Sequence, residues 1–232
     1  MLGSGPAAYW RLGENPGGSV ALDTMGGADG TYVNVTGLGA AGALARDADT
    51  AVDLSGSDDY VVAPGTSPSL QLQDSFTIEL WVRLGTTAQS QKYLLNKGNH
   101  YAVLYGYVPQ TVELFLGAGT FTGEDPRPYS AITVDDTAWH HIVYSYDRQA
   151  GLFYGYKDGE AAFAPVAIDF GLGTTGADLF LGAAGSGGLN NVDATLDEVA
   201  IYDRALLSER GAGSVRSAGL RAAVRRAGEL AG

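Results

Sequence analysis

Residues 75–84 read SFTIELWVRL, and their strict alternation constrains the fold more than any other stretch of the chain. Phe76, Ile78, Leu80 and Val82 fall on one face of an extended backbone, with Thr77, Glu79, Trp81 and Arg83 on the other. A two-residue period of this kind belongs to a strand with one face in a core. A second such segment covers residues 140–147, where Ile142, Tyr144 and Tyr146 oppose His141, Val143 and Ser145. Leu152–Lys157 then leads through Asp158-Gly159 into residues 160–163. Asp-Gly between two extended runs predicts a type I′ hairpin, whose two central residues need positive φ. Further strands are expected at 93–96, 101–107, 112–116, 178–181 and 196–202. No helical period separates them, which points to a sandwich or barrel.

The 232 residues include 34 glycines and only 8 prolines, a balance suited to many short strands joined by tight turns. A chain of this length fits one large β domain, since such domains run to about 200–250 residues. Its net charge of −12 argues against a nucleic-acid partner and against an anionic membrane surface. Acidic loops do suit a hard cation such as calcium. Cysteine is absent, which removes disulfides, zinc-thiolate sites and a cysteine nucleophile from consideration. The N-terminus has no basic segment followed by an apolar one, so no signal peptide is expected. No apolar run approaches the roughly 18 residues of a membrane span. The pattern changes only at the end. Leu220, Ala223, Val224, Ala227 and Leu230 recur at helical spacing among arginines, so a short basic helix is expected. The expected organisation is one β domain over 1–210 and a helical tail over 211–232.

Several phrases then coincide in order and spacing. They include Ala8-Tyr-Trp-Arg-Leu-Gly-Glu14, Asp29-Gly-Thr-Tyr32, Gly56-Ser-Asp-Asp-Tyr-Val61, Phe76-Thr-Ile-Glu-Leu-Trp-Val82, Trp139-His-His-Ile-Val143, Lys157-Asp-Gly159 and Leu196-Asp-Glu-Val-Ala-Ile-Tyr202. Over residues 6–210 the set resembles a laminin-G-like jelly-roll module of the concanavalin A-like lectin/glucanase superfamily. The resemblance implies an all-β jelly roll of two antiparallel sheets, with its N- and C-terminal segments paired. The wording also resembles modules of actinobacterial surface proteins and of their phages' tail proteins. A non-catalytic, lectin-like binding module in a virion or at the cell surface is therefore expected. Its partner would be a surface glycan. A decoration protein docking on a neighbouring virion or surface protein is the alternative, and a homo-oligomer is left open. The resemblance also implies a structural calcium ion between an N-terminal loop and the last strand. The matching positions are Glu14 or Asp23, a Gly30 carbonyl and Asp197, with Asp29 and Asn34 as substitutes.

Aromatic alternation supplies the candidate sugar surface. Tyr101, Val103, Tyr105 and Tyr107 share one face of an expected strand, and aligned tyrosines can stack on sugar rings while their hydroxyls hydrogen-bond. Tyr144 and Tyr154 are expected in the core, leaving Tyr105, Tyr107 and Tyr129 as carbohydrate-binding candidates. Adjacent histidines of a strand point to opposite faces, so His140 and His141 are not expected to share an ion. An enzyme is not expected. Retaining glycosidases need two carboxyl groups about 5–5.5 Å apart, and the Glu-x-Asp-x-x-Glu segment of family-16 glucanases is missing. Asp58-Asp59, Glu124-Asp125, Asp135-Asp136 and Asp197-Glu198 are adjacent pairs, whose members face opposite ways in regular strands. Two Gly-x-Gly-x-x-Gly matches, at 37–42 and 171–176, lack the following helix of a dinucleotide site and are expected to be turns.

Overall fold

The computed structural model describes residues 2–45, 47–98, 100–117, 131–168 and 173–206. The helix expected over 211–232 and Tyr129 lie outside these residues. The first strands are β1 (Ala8–Trp10), β2 (Val20–Ala21), β3 (Gly30–Val33), β4 (Gly37–Ala41), β5 (Thr50–Ser55) and β6 (Tyr60–Ala63). They are followed by β7 (Phe76–Leu84), β8 (Lys92–Lys97), β9 (Tyr101–Tyr105), β10 (Thr111–Leu116) and β11 (Ile132–Thr133). The last are β12 (Trp139–Asp147), β13 (Leu152–Lys157), β14 (Glu160–Ala161), β15 (Val166–Ala167), β16 (Leu179–Leu181) and β17 (Asp193–Tyr202).

Two sheets result. One runs β14-β13-β12-β7-β17-β5-β4, with β1 also on β17 and β15 also on β13; the other runs β11-β10-β9-β8-β16-β6-β3-β2. Every ladder between these strands is antiparallel. The arrangement is an all-β sandwich, as expected. Among the described residues no helix is long and apolar enough to cross a membrane.

Alternation determines what lies between the sheets. Phe76, Ile78, Leu80 and Val82 from β7 and Ile142, Tyr144 and Tyr146 from β12 point inward, onto Leu95, Val103 and Leu114 of the second sheet. Buried hydroxyls in this layer find acceptors: Tyr144 donates to the Val112 carbonyl at 2.7 Å and Tyr101 to that of Leu70 at 3.1 Å. The Trp10 indole N–H donates to the Ala28 carbonyl at 2.9 Å. The hairpin forms as its dipeptide requires, with φ of 54° at Asp158 and 83° at Gly159.

Three local expectations change. β9 stops at Tyr105, because Gly106 turns the chain at φ 78°. The glycine-rich segment 37–42 is mostly strand β4, with a register shift around Gly39 at φ 83°. Pairing with β5 holds it extended where its small side chains carry no strand signal. Tyr154 lies opposite Ser145, and Gly155 lies opposite Tyr144. Tyr154 therefore stands on the face turned away from the core, packed with Val143 and Tyr156.

Leu80 is 1% exposed and sits midway along the central strand of the core. Leu80→Ala should cost about 2–5 kcal/mol. Thermal unfolding should show this as a fall in Tm of about 5–15 °C.

Candidate functional site

The outward face of the nine-stranded sheet carries rows of polar and aromatic side chains. The register pairs Trp139 with Arg83, His141 with Trp81, Val143 with Glu79 and Ser145 with Thr77. The Trp81 and His141 rings stack at 4.9 Å and 26°. Arg83 lays its guanidinium 5.2 Å from the centre of the Trp139 ring and donates to Thr195 Oγ1 at 3.1 Å. The Thr195 hydroxyl donates in turn to Asp53 Oδ1 at 2.7 Å. One row further along, Glu79 accepts from Tyr202 Oη at 2.7 Å and meets His141 Nε2 at 2.8 Å. A carboxylate oxygen accepts, so this contact places the imidazole proton on Nε2. Glu79 and His141 are buried, whereas Trp81, Arg83 and Trp139 each keep part of their surface in water.

His140 faces the other way. Its Nδ1 lies 2.8 Å from Asp158 Oδ2 and its Nε2 lies 3.0 Å from Asp136 Oδ1. The two histidines have separate partners on opposite sides of the sheet, as strand geometry requires.

Beside Trp81 the alternation breaks. Asp197 pairs with Trp81 and Ala200 with Glu79, so Glu198 and Val199 together stand against Leu80. This is a β-bulge, with Glu198 at φ 51°. Leu196, Val199 and Ile201 all reach the core. Asp197 and Glu198 thereby share the outward face, and with Asp49 they form a cluster whose ligand atoms all lie within 4.8 Å. The expectation that adjacent carboxylates diverge fails here, because the extra residue cancels one step of the alternation.

Arg11, just beyond β1, anchors the cluster. Its Nη2 lies 2.9 Å from Asp47 Oδ2, and its Nε lies 2.7 Å from Asp49 Oδ2 and 3.1 Å from Glu198 Oε1. The single Nε–H is directed at Glu198, so Asp49 gains proximity to the charge without a hydrogen bond from it. Tyr9 donates its hydroxyl to Glu198. Asp197 Oδ2 accepts the Ala43 amide at 2.8 Å, while its buried Oδ1 has no hydrogen-bond partner. Burial, with Glu198 and Asp49 adding repulsion against the Ala43 amide, lifts the Asp197 carboxyl from 3.8 to about 6.

The other cation positions expected from sequence are not gathered here. Asp23 Oδ1 accepts the amides of Tyr9 and Met25, and Oδ2 those of Gly27 and Ala28. A carboxylate so occupied pins a turn and has little left to offer a metal. Glu14 accepts the Leu22 amide at 2.9 Å and the Tyr32 hydroxyl at 2.5 Å. Gly30 is paired with Ala21 inside a ladder. Of the expected set, Asp197 alone belongs to the cluster, where its neighbours are Asp49 and Glu198. Asp197 was legible from the last strand; its two partners depend on a bulge and a loop.

The tyrosine surface also needs correction. Tyr105 is fully buried, and its hydroxyl donates to the carbonyls of Thr87 and Val134. Its face of β9 is the core face, so it cannot meet a sugar. Tyr107 is 45% exposed and packs edge-on against Phe115 at 5.5 Å. Nearby, Tyr93, Asn96, Leu104 and Phe115 line a depression of about 240 Å³ on the outside of the eight-stranded sheet. The outward positions of Glu79, Trp81 and Arg83 were readable from the period of β7. Their link to Trp139, Thr195 and Tyr202 was not, because it runs between strands far apart in sequence.

The model of the concanavalin A-like lectin/glucanases superfamily (Laminin_G_3) matches residues 55–210. The chain belongs to this family. No curated protein matches it. Among solved structures, the binding domain of Paraclostridial Mosquitocidal Protein 1 superposes with a TM-score of 0.67 at 15% identity, covering 91% of this chain and 52% of that one. The binding domain of botulinum neurotoxin serotype D/C gives 0.66 at 12%, covering 90% and 51%. A Trypanosoma rangeli sialidase mutant displaying trans-sialidase activity gives 0.63 at 16%, covering 90% and 32%. The chain thus spans about half of the two binding domains and a third of the sialidase. At these identities the likeness is one of fold.

Asp197 generates a pH dependence. With its carboxyl raised to about 6, the folded chain binds this proton more tightly than the unfolded chain does. Stability should therefore fall as pH rises from about 4 to 6, by about 3 kcal/mol, and stay lower above that range. Asp197→Asn keeps an acceptor for Ala43 and should flatten this slope. Denaturant unfolding across that range in cation-free buffer would show it, and an equal slope in the variant would assign the effect elsewhere.

Proposed function

We propose that this chain is a non-catalytic module that binds carbohydrate at a bacterial cell surface, within a phage virion or a secreted surface protein. The observation that carries the reading is the pair of part-exposed indoles, Trp81 and Trp139, on one face of the nine-stranded sheet. They stand diagonally across the β7–β12 ladder, a separation of about 7–8 Å along the sheet. Indoles present broad apolar faces for the C–H side of a sugar ring, and the strands beneath hold them without loss of backbone entropy. Membership of a lectin and glucanase superfamily supports the reading, and so does the likeness in fold to two binding domains. The bacterial surface follows from the resemblance of the N-terminal phrases to surface and phage tail modules.

Non-catalysis is supported by the state of the carboxylates beside Trp81. Glu79, Asp197 and Glu198 are at most 8% exposed, and Glu79 and Glu198 are committed to tyrosines and to His141 or Arg11. None is presented to a glycosidic bond with room for water. A glycan array probed with the full chain should give saturable binding to surface polysaccharides, and Trp81→Ala or Trp139→Ala should weaken it about tenfold or more. An array without signal would favour the decoration role and a protein partner.

The acidic cluster fits a structural calcium ion. Asp47, Asp49 and Glu198 meet one guanidinium while Asp197 sits beside Asp49 and Glu198, which leaves surplus negative charge, and the buried Asp197 Oδ1 is an acceptor without a donor. Asp49, Asp197 and Glu198 would hold the ion, and carbonyls and water complete the six to eight oxygens that calcium takes. The ion would stabilise the bulge against repulsion among the carboxylates. Chelation should lower Tm and calcium restore it by mass action, and Asp197→Asn should remove that response. Melting curves that coincide with and without chelator would eliminate the ion.

A further inference from the structure

We infer that the end of this face formed by Trp139, Arg83, Thr195 and Asp53 is a subsite for a neutral pyranose; the inference rests on the carbohydrate reading above and adds the ligand's charge class and its contacts. The four residues lie in one row across β12, β7, β17 and β5, through the register pairs Trp139 with Arg83, Arg83 with Thr195, and Thr195 with Asp53. At a strand spacing of about 4.8 Å the row spans about 14 Å. It offers an indole, a donor, a hydroxyl and an acceptor in sequence. That order suits a sugar ring, which has an apolar C–H face and a rim of hydroxyls that both donate and accept.

The donor is held ready. Arg83 is fixed by the Trp139 ring on one side and by Thr195 on another, and among the described residues no carboxylate pairs with it. A guanidinium has five N–H donors, so several remain for a ligand. The acceptor is ready too. Asp53 is exposed and uses Oδ1 for Thr195, leaving Oδ2 for a ligand hydroxyl. Trp81 extends the apolar surface one row further, with its ring already packed on His141.

Local charge selects against an acidic sugar. Asp53 lies two bonds along the row from Arg83, and Asp193 stands on the same side of β17 as Thr195. Burial, together with repulsion from Asp53 and Asp59, raises the Asp193 carboxyl above its usual range, as expected in a locally negative field. A uronate, sialate or sulfate would gain one guanidinium but face these carboxylates and a chain of net charge −12. A neutral ring gains the same hydrogen bonds and meets no repulsion.

The test is titration calorimetry of the full chain against neutral polysaccharides (mannan, galactan, glucan) and acidic ones (polygalacturonate, heparin, polysialic acid), at low and high salt. Binding to a neutral polymer is expected, with affinity insensitive to salt, since no ionic contact is screened. Trp139→Ala, Arg83→Met and the conservative Asp53→Asn should each weaken it about tenfold or more, with Tm little changed. Preferential binding of an acidic polymer, falling with salt and lost in Arg83→Met, would overturn the neutral class while leaving the carbohydrate reading intact. Neutral binding equal in all three variants, each shown folded by circular dichroism, would overturn the location. Binding to no polysaccharide on the array or in titration would remove the carbohydrate reading itself, and this inference with it.

Discussion

β17 is paired along both edges, and almost everything else is placed by how it is shared. β7 runs along one edge for nearly its full length, while β5 takes the other edge from Asp193 to Leu196 and β1 takes it from Val199 to Ile201. The bulge falls at the changeover. One extra residue there lets the inward positions Leu196 and Val199 both reach the core, although three apart, and puts Asp197 and Glu198 on the same outward side. Without that residue, one of the two carboxylates would be directed into an apolar layer, where an unpaired charge is costly.

Arg11 makes the crowding tolerable. It follows directly after β1, the strand that meets β17 beyond the bulge, so its guanidinium arrives among Asp47, Asp49 and Glu198 from the chain's other end. The pairing of the two ends thus does electrostatic as well as structural duty. The same strand sends Tyr9 to Glu198, and Tyr202 from β17 goes to Glu79, so two tyrosine hydroxyls satisfy two buried carboxylates on neighbouring strands. After β17 the chain folds back over this face, where the Leu206 amide reaches Thr77 and Ser145. The result is a surface buried around Glu79 and open toward Trp139 and Asp53.

Much of the sandwich was legible because hydrophobic alternation is a local property. β7, β12, β13 and the Asp158-Gly159 turn stand where periodicity and turn chemistry put them, within a residue or so. The misreadings share a cause. Gly37–Ala41 has too little side chain to signal a strand, and only its ladder with β5 keeps it extended. Alternation along residues 152–157 does not say which of its two faces is the core's, and the hairpin's register sets Tyr154 opposite Ser145. Asp23 matches a ligand position that the resemblance implies, yet four amides close around it.

By itself the sequence determined which residues of β7 and β12 share the inward face, since a period of two needs no partner to be read. It also determined the hairpin at Asp158-Gly159, the family pattern and the strongly acidic charge. The tertiary structure alone decided which outward residues meet. Trp139, Arg83, Thr195 and Asp53 come from four strands, and Tyr9, Arg11 and Asp49 join Asp197 and Glu198 across most of the chain. Register between strands, and the bulge in β17 that shifts it, is fixed by long-range packing of side chains on both faces, and no local run of residues encodes it.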